Sequence, residues 1–202
     1  FKIGILGGGQ LGKMMLTETR KFDIQTYVVD PSSEAPCQFG ATKFFQGSLN
    51  DYQTVMDLGN QVDVLTIEIE NVNLEALEAL EAAGKKVYPS PKTLRLISNK
   101  GNQKDFYIQH NVPTAPYKRF ATLQALKDEV NKGNIEMPFV WKATEGGYDG
   151  NGVKVVRKIE DLNTLPETEC IAETMIPFKT ELAVIVARLA SGEIKTYPVV
   201  EK

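Results

Sequence analysis

Five short apolar segments alternate with helix-like segments over the first ninety or so residues, and this alternation constrains the fold more than any other feature. Strands that alternate with helical crossovers are typical of a parallel sheet, because each helix returns the chain to the same edge of that sheet. The predicted strands span residues 1–6, 26–29, 43–46, 62–67 and 86–88. The sequence therefore predicts an α/β fold that begins with a parallel sheet.

The first predicted strand leads directly into a glycine-rich turn. Gly7, Gly9 and Gly12 match the pattern G-x-G-x-x-G, and apolar residues at helical spacing follow them. The N-terminus of such a helix carries free N–H groups and a partial positive charge, so it can bind an anion. Asp30 ends the second strand, where an acidic residue binds a ribose hydroxyl in dinucleotide-binding proteins. The same turn also occurs in folds that use it for packing or for a different phosphate, so both interpretations stay open.

Two carboxylates follow the fourth predicted strand. Glu68 and Glu70 share one face if that strand continues, and their like charges then crowd each other. Ligands of open α/β sheets bind at the carboxyl ends of the strands. The pair therefore indicates a ligand site, and the alternative is a solvated strand end.

Two prolines within residues 112–116 exclude a helix and a central strand there, and we place a domain boundary at this linker. The following pattern predicts a small α+β unit with strands 117–120, 138–143, 153–157 and 170–173 and helices 123–131 and 159–165. Ser191 and Gly192 then join two further predicted strands, 182–188 and 194–200, into a hairpin.

The most chemically informative segment lies in the second unit. An apolar strand ends at Lys142, and four glycines follow within seven residues, at 146, 147, 150 and 152. Glycines let backbone N–H groups approach a ligand closely, and a lysine adds a point charge. A lysine followed by a glycine-rich loop is therefore suited to binding a polyphosphate. The spacing is not that of a Walker motif, and a glycine-rich hairpin with a surface lysine is the alternative. Lys100 and Lys104 lie four residues apart on a helix, where they could address an anion together.

Composition narrows the class of protein. A net charge of −3 gives no reason to expect a nucleic-acid or membrane partner. Cys37 and Cys170 lie far apart and predict a reduced, cytoplasmic protein, while the single histidine, His110, excludes a histidine-rich metal site.

Several segments together resemble the 5-(carboxyamino)imidazole ribonucleotide synthase family of ATP-grasp ligases. The segments are residues 7–14, 68–72, 112–116, 146–152 and 178–182, and the resemblance covers the whole chain. It implies a Rossmann-like pre-ATP-grasp domain (1–96), a linking helix and linker (97–113), an ATP-grasp lid (114–177) and the first hairpin of a C-terminal subdomain (178–202). The implied reaction joins bicarbonate to 5-aminoimidazole ribonucleotide in purine biosynthesis and converts ATP to ADP, with carboxyphosphate as the expected intermediate. In such a reaction the enzyme positions the reactants and neutralises the phosphate charge, and it needs no protein nucleophile.

The resemblance also implies roles for individual residues, although it identifies no catalytic residue. Lys100 and Lys142 are expected on the ATP phosphates, Glu173, Thr174, Met175 and Ile176 beside adenine, and Glu181 on the ribose. The loop expected over the triphosphate comprises Gly147, Tyr148, Asp149, Gly150, Asn151, Gly152 and Val153. The residues expected to bind the ribonucleotide are Gln10, Leu11 and Glu68, with Glu70 as a lesser candidate. Asp30 then becomes a strand-end residue.

The chain departs from the family pattern at three places. Family members often have arginine at the position of Lys100. At the position of Asn151 and near that of Glu145, they more often have a basic residue than the residues found here. The resemblance further implies a homodimer and Mg²⁺ ligands beyond residue 202, so we expect the chain alone to be inactive. Two alternatives remain: another ATP-grasp ligase, such as a formate-dependent glycinamide ribonucleotide transformylase, or a non-catalytic nucleotide-binding module.

Overall fold

The computed structural model describes residues 1–146, 152–189 and 191–201. The chain forms two compact units, residues 1–114 with 143–152 and residues 115–142 with 153–202. The domain bounds given above stay a prediction. Within the described ranges, no helix is both long and apolar enough to cross a membrane.

A five-stranded parallel sheet organises the first unit, as the sequence predicts. Its strands are β1 (Lys2–Leu6), β2 (Gln25–Asp30), β3 (Lys43–Gln46), β4 (Val64–Ile67) and β5 (Lys86–Tyr88). They lie in the order β3-β2-β1-β4-β5, and every neighbouring pair is parallel. Its α-helices are α1 (Gln10–Thr19), α2 (Tyr52–Asn60), α3 (Leu74–Ala82), α4 (Pro91–Ile97) and α5 (Lys100–Gln109).

Polar side chains begin four of these helices. The first N–H groups of a helix lack intrahelical partners, and a side-chain oxygen just before the helix can accept from one of them. Asp51, Asn73, Ser90 and Asn99 each make this bond, at the starts of α2, α3, α4 and α5 respectively. Gly84, at φ +84°, follows the end of α3 in a conformation that disfavours other residues.

Both faces of the parallel sheet are covered, because successive side chains on a strand point to opposite faces. Leu6 packs in one apolar cluster with Val55 of α2 and Leu77 of α3. Its neighbour Ile5 packs in a second cluster with Leu16 of α1. Full burial of each such side chain stabilises the fold by about 1.5–3 kcal/mol. Because both faces of the sheet are apolar, polar residues lie at the ends of the strands.

A four-stranded sheet forms the centre of the second unit. Its strands are β6 (Tyr117–Phe120), β7 (Phe139–Ala143), β8 (Val153–Val156) and β9 (Cys170–Thr174), in the order β6-β9-β7-β8. The helix α6 (Leu123–Asn131) has the predicted bounds, and the helix predicted at residues 159–165 is a 3₁₀ helix at Ile159–Thr164. Along β7, Phe139 and Trp141 are buried, while Lys142 on the opposite face is half-buried.

The C-terminal hairpin is present, but its strands are interrupted. The prediction of two continuous strands is wrong, since the chain forms β10 (Leu182–Ala183), β11 (Val186–Arg188), β12 (Ile194–Thr196) and β13 (Val200–Glu201). The strand β11 pairs with β12 and β10 pairs with β13, both antiparallel. Residues 184–185 oppose the longer stretch 197–199, which gives a one-residue bulge. Pro198 lies in that bulge and has no N–H to offer a ladder.

Candidate active site

The glycine turn after β1 lies beside Glu68. Leu6 and Ile67 are paired neighbours at the ends of β1 and β4, so the residues that follow them meet at one edge of the sheet. A Cβ atom added to Gly9 would lie 2.5 Å from Glu68 Oε1, and one added to Gly7 would lie 2.8 Å from Glu68 Oε2. Gly7 also has φ +101°, which side chains disfavour. The carboxylate of Glu68 therefore occupies space that only glycines leave open.

The other residues predicted to bind the ribonucleotide lie around this turn. Gln10 and Leu11 form the first turn of α1 and are exposed, Leu11 by 64%. Glu68 is half-buried and Glu70 is exposed. The expectation that a continuing strand places both carboxylates on one face is wrong, because β4 ends at Ile67 and a bend follows.

Asp30 supports the glycine turn from behind. Its Oδ2 accepts a hydrogen bond of 2.7 Å from the Gly8 N–H, and its Oδ1 accepts one of 2.8 Å from the Ser32 N–H. Both carboxylate oxygens are thus used by the backbone, which favours the structural interpretation of Asp30 over ribose binding.

The two thiols of the chain are poor nucleophiles. Burial, together with the carboxylates of Glu68 and Asp30, raises the pKa of the Cys37 thiol. Burial raises the pKa of the Cys170 thiol to about 11. Both therefore stay protonated at neutral pH, whereas a nucleophilic cysteine needs its thiolate form.

The start of α5 holds the start of the glycine-rich segment. The Lys100 N–H donates to the Thr144 carbonyl at 2.8 Å, and Asn99 Nδ2 donates to Glu145 Oε1 at 2.9 Å. The two ends of the segment are also joined, by a bond of 2.9 Å from the Ala143 N–H to the Gly152 carbonyl. The sequence alone does not indicate Asn99 as a site residue, because its only local signal is an asparagine at a helix start.

Lys104 does not join Lys100 in a shared anion site. Only 8% of Lys104 is exposed, and its ammonium donates to the Thr114 hydroxyl. The expectation that the two lysines address an anion together is wrong, because Lys104 is buried against the linker.

Lys142 forms an ion pair with Glu173 on the neighbouring strand β9. Glu173 is buried, with 5% exposed, whereas the Lys142 side chain keeps 28% of its surface in solvent. A buried carboxylate needs such a partner, and the pair holds the lysine ammonium in place on the face of β7 opposite Phe139 and Trp141.

The predicted adenine segment follows directly. The strand β9 ends at Thr174, and Pro177 then excludes a further ladder bond. Glu173, Thr174 and Met175 line a cavity of about 630 Å³. Its other walls include Tyr117, Lys118, Met137, Pro138, Phe139 and Pro177. Part of the segment therefore borders a space of a size typical of small-molecule sites.

The remaining predicted residues divide into two groups. Gly147, Tyr148, Asp149, Gly150 and Asn151 lie outside the described residues. Gly152 has φ +72°, Val153 begins β8, Ile176 is 47% exposed, and Glu181 is exposed just before β10. In the part of the chain that the structure describes, no group of three or more His, Cys, Asp or Glu side chains is placed to hold a metal ion.

Two family models match the chain. One describes a ribonucleotide synthetase preATP-grasp domain and matches residues 1–98, and the other describes an ATP-grasp domain and matches residues 105–202.

Similar proteins extend this result across nearly the whole chain. An N5-carboxyaminoimidazole ribonucleotide synthase of Bacillus subtilis is 35% identical over 98% of this chain and 53% of its own length. A phosphoribosylaminoimidazole carboxylase of Ogataea methanolica is 36% identical over 98% of this chain and 38% of its own length. The crystal structure of the N5-carboxyaminoimidazole synthase of Aspergillus clavatus, in complex with ADP and 5-aminoimidazole ribonucleotide, superposes with a TM-score of 0.87. It is 32% identical and covers 99% of this chain and 53% of that protein. This chain therefore joins a ribonucleotide synthetase preATP-grasp domain to an ATP-grasp domain, is similar over nearly its whole length to N5-carboxyaminoimidazole ribonucleotide synthases, and spans about half the length of its Bacillus subtilis relative.

Proposed function

We propose that this chain supplies the nucleotide- and ribonucleotide-binding residues of an ATP-grasp ligase that carboxylates 5-aminoimidazole ribonucleotide with bicarbonate. ATP phosphorylates bicarbonate to carboxyphosphate and leaves as ADP. The ribonucleotide amine then attacks the carboxyphosphate carbon, phosphate leaves, and the amine loses a proton. The observation that carries the proposal is the likeness over 99% of the chain to a protein crystallised with ADP and this ribonucleotide.

Electrostatics support a phosphate-binding role for Lys142. Its ammonium is already held by Glu173, so little side-chain entropy remains to be lost when a phosphate arrives. The lysine ammonium has three N–H donors, so it can keep its contact with Glu173 and also donate to a phosphate oxygen. Lys100 and the loop Gly147–Val153 provide the other proposed phosphate contacts.

The remaining ATP contacts are proposed at the end of β9 and in the residues that follow it. Glu173 to Ile176 are proposed to face adenine, and the cavity that three of them line supports this assignment. Glu181 is proposed to accept the ribose hydroxyls, since an ionised carboxylate is an acceptor only.

The ribonucleotide is proposed to bind at the glycine turn of the first unit. Glu68 accepts hydrogen bonds from the substrate, and Gln10 and Leu11 contact it from the first turn of α1. Asp30 is proposed to hold the turn in place, and its hydrogen bond from the Gly8 N–H supports this role.

Mg²⁺ and homodimer formation are proposals that rest on the resemblance alone. A cytoplasmic location is a proposal that rests on the two free cysteines, Cys37 and Cys170. The described carboxylates form no cluster that fits a metal ion. We therefore assign no step of the reaction to a metal held by these residues.

Calorimetric titration of the chain with ATP tests the nucleotide assignment. We expect Lys142→Gln to weaken ATP binding about tenfold, which corresponds to about 1.4 kcal/mol. Lys132→Gln, which removes a lysine exposed on the surface of the same unit, is the matched control and leaves the affinity unchanged. Equal ATP affinity in the Lys142 variant, or preferential binding of NAD, would contradict the assignment and favour a different nucleotide-binding module.

The choice between ATP-grasp ligases depends on the second substrate. In the chain joined to the remaining segment of its Bacillus subtilis relative, we expect ADP release to respond to 5-aminoimidazole ribonucleotide with bicarbonate. A response to glycinamide ribonucleotide with formate instead would identify the transformylase alternative.

A further inference from the structure

We infer that Asn99 and Glu145 are positioning residues for ATP, and that their hydrogen bond fixes the start of the glycine-rich segment to the helix that carries Lys100. The inference rests on the proposed function, because it takes Lys100 and the segment after Glu145 as phosphate-binding groups. No sequence motif or family resemblance assigns Asn99 or Glu145 to a site.

The two ends of the Asn99 amide serve different purposes. Its oxygen accepts from the Asn102 N–H at 2.9 Å and begins α5, a task that serine, threonine or aspartate performs as well. Its NH₂ group donates to Glu145 Oε1 at 2.9 Å, across 46 positions of sequence. The residue is 6% exposed, so the amide is held within the fold. Only a side chain with both an acceptor and a donor satisfies both partners.

Backbone bonds place this contact at the base of the segment. Thr144 is 2% exposed and its carbonyl accepts from the Lys100 N–H at 2.8 Å. The Ala143 N–H bonds to the Gly152 carbonyl at 2.9 Å. Residues 143, 144 and 145 are thus each bonded, and the position of the Lys100 backbone is tied to that of the segment. A displacement of about 1 Å in such a site reduces catalysis by orders of magnitude.

The same bond resolves an electrostatic conflict. Glu145 adds a negative charge immediately before glycines that are proposed to hold phosphate, and free carboxylates repel phosphate. The bond from Asn99 holds this carboxylate at the N-terminus of α5, where the helix dipole favours a negative charge. The carboxylate is thus used as a structural anchor.

The experiment is a pair exchange in the purified chain. Asn99→Asp keeps the helix cap and the side-chain size, but it sets a carboxylate against that of Glu145. We expect it to weaken ATP binding about tenfold, since a lost charged hydrogen bond costs about 1–3 kcal/mol. Glu145→Gln leaves a donor and an acceptor in contact and binds ATP within about twofold of wild type. Combining both substitutions restores the bond with donor and acceptor reversed, and ATP affinity returns.

A second readout needs no ATP. The Lys100 amide, which bonds to Thr144, is followed by hydrogen exchange in the ligand-free protein. We expect faster exchange in Asn99→Asp and wild-type exchange in the double variant, while circular dichroism reports retained folding in both. A role of Asn99 only in capping α5 would not produce rescue of ATP affinity by Glu145→Gln, because the cap bond involves Asn102 and not Glu145.

The outcomes separate the inference from the proposed function. Wild-type affinity and wild-type Lys100 exchange in Asn99→Asp overturn the inference and leave the function standing. A weakened Asn99→Asp variant that Glu145→Gln does not rescue also overturns it. If the wild-type chain does not bind ATP, the proposed function and the ATP role of the pair both fall, whatever the exchange result.

Discussion

At the scale of single residues, the site depends on close contacts that small or bifunctional side chains permit. Gly7 and Gly9 leave room for the Glu68 carboxylate, and Asp30 accepts a hydrogen bond from the Gly8 N–H that lies between them. Lys142 and Glu173 neutralise each other on one face of a sheet. Each of these contacts can be changed by one substitution without a change of fold class.

Gly9→Ala should impair binding of the ribonucleotide more than folding. The added methyl group meets the end of the Glu68 side chain, which can turn away. We therefore expect the free energy of unfolding to change by less than about 1 kcal/mol. Titration with 5-aminoimidazole ribonucleotide should show about a tenfold loss of affinity, with ATP affinity unchanged.

Gly7→Ala is the contrasting variant, because its φ of +101° strains any side chain. It should destabilise the protein by about 1–3 kcal/mol in urea titrations. Equal effects of both alanines on folding, with no loss of ribonucleotide affinity for Gly9→Ala, would count against the role of Glu68.

Glu173→Gln should destabilise the second unit, since it leaves a partly buried lysine without its counter-charge. We expect a loss of about 1–3 kcal/mol in the free energy of unfolding. Glu18→Gln removes an exposed ion pair with Lys21 and serves as the control, with an expected change below about 1 kcal/mol. Similar stability of the two variants would show that the Lys142 pair is as solvated as a surface pair.

At the scale of helices and strands, the positions of individual elements are predictable from the sequence, whereas the register in which two strands pair is not. Residues 123–131 form the predicted helix and residues 43–46 the predicted strand, because capping and periodicity act over a few residues. The interruption at 184–185 was missed because a continuous apolar run carries no information about its partner. The bulge at Pro198 on the other strand sets that register.

The cap of α2 should make stability depend on pH. Hydrogen bonds from the N–H and then the hydroxyl of Thr54 hold the pKa of Asp51 below its usual range. A lowered pKa in the folded state means that the stabilisation is present at neutral pH and is lost as pH falls through that pKa. The difference in Tm between wild type and Asp51→Asn should therefore shrink between pH 6 and pH 3.

The control for this prediction is an uncharged cap. Ser90 begins α4, and Ser90→Asn should alter Tm by a similar amount at both pH values. A pH-independent difference for Asp51→Asn would mean that the charge of the cap does not contribute to folding.

At the scale of the whole molecule, the fold class followed from the sequence, whereas the contacts that shape the site did not. Alternating strands and helices predict the parallel sheet, and the structure confirms it. The bond from Asn99 to Glu145 and the burial of Lys104 involve residues that no sequence period connects. Side-chain partners across such distances become visible only after the chain is folded.

The most direct test of the proposed function is ADP release that depends on 5-aminoimidazole ribonucleotide at fixed bicarbonate. The assay compares the 202-residue chain with the same chain joined to the remaining segment of its Bacillus subtilis relative, after calorimetry has shown that both bind ATP. We expect release to rise with the ribonucleotide in the joined protein and to stay at background in the chain alone. ADP release that does not respond to the ribonucleotide in a joined protein that binds ATP would contradict the proposed substrate and leave only the ATP-grasp fold.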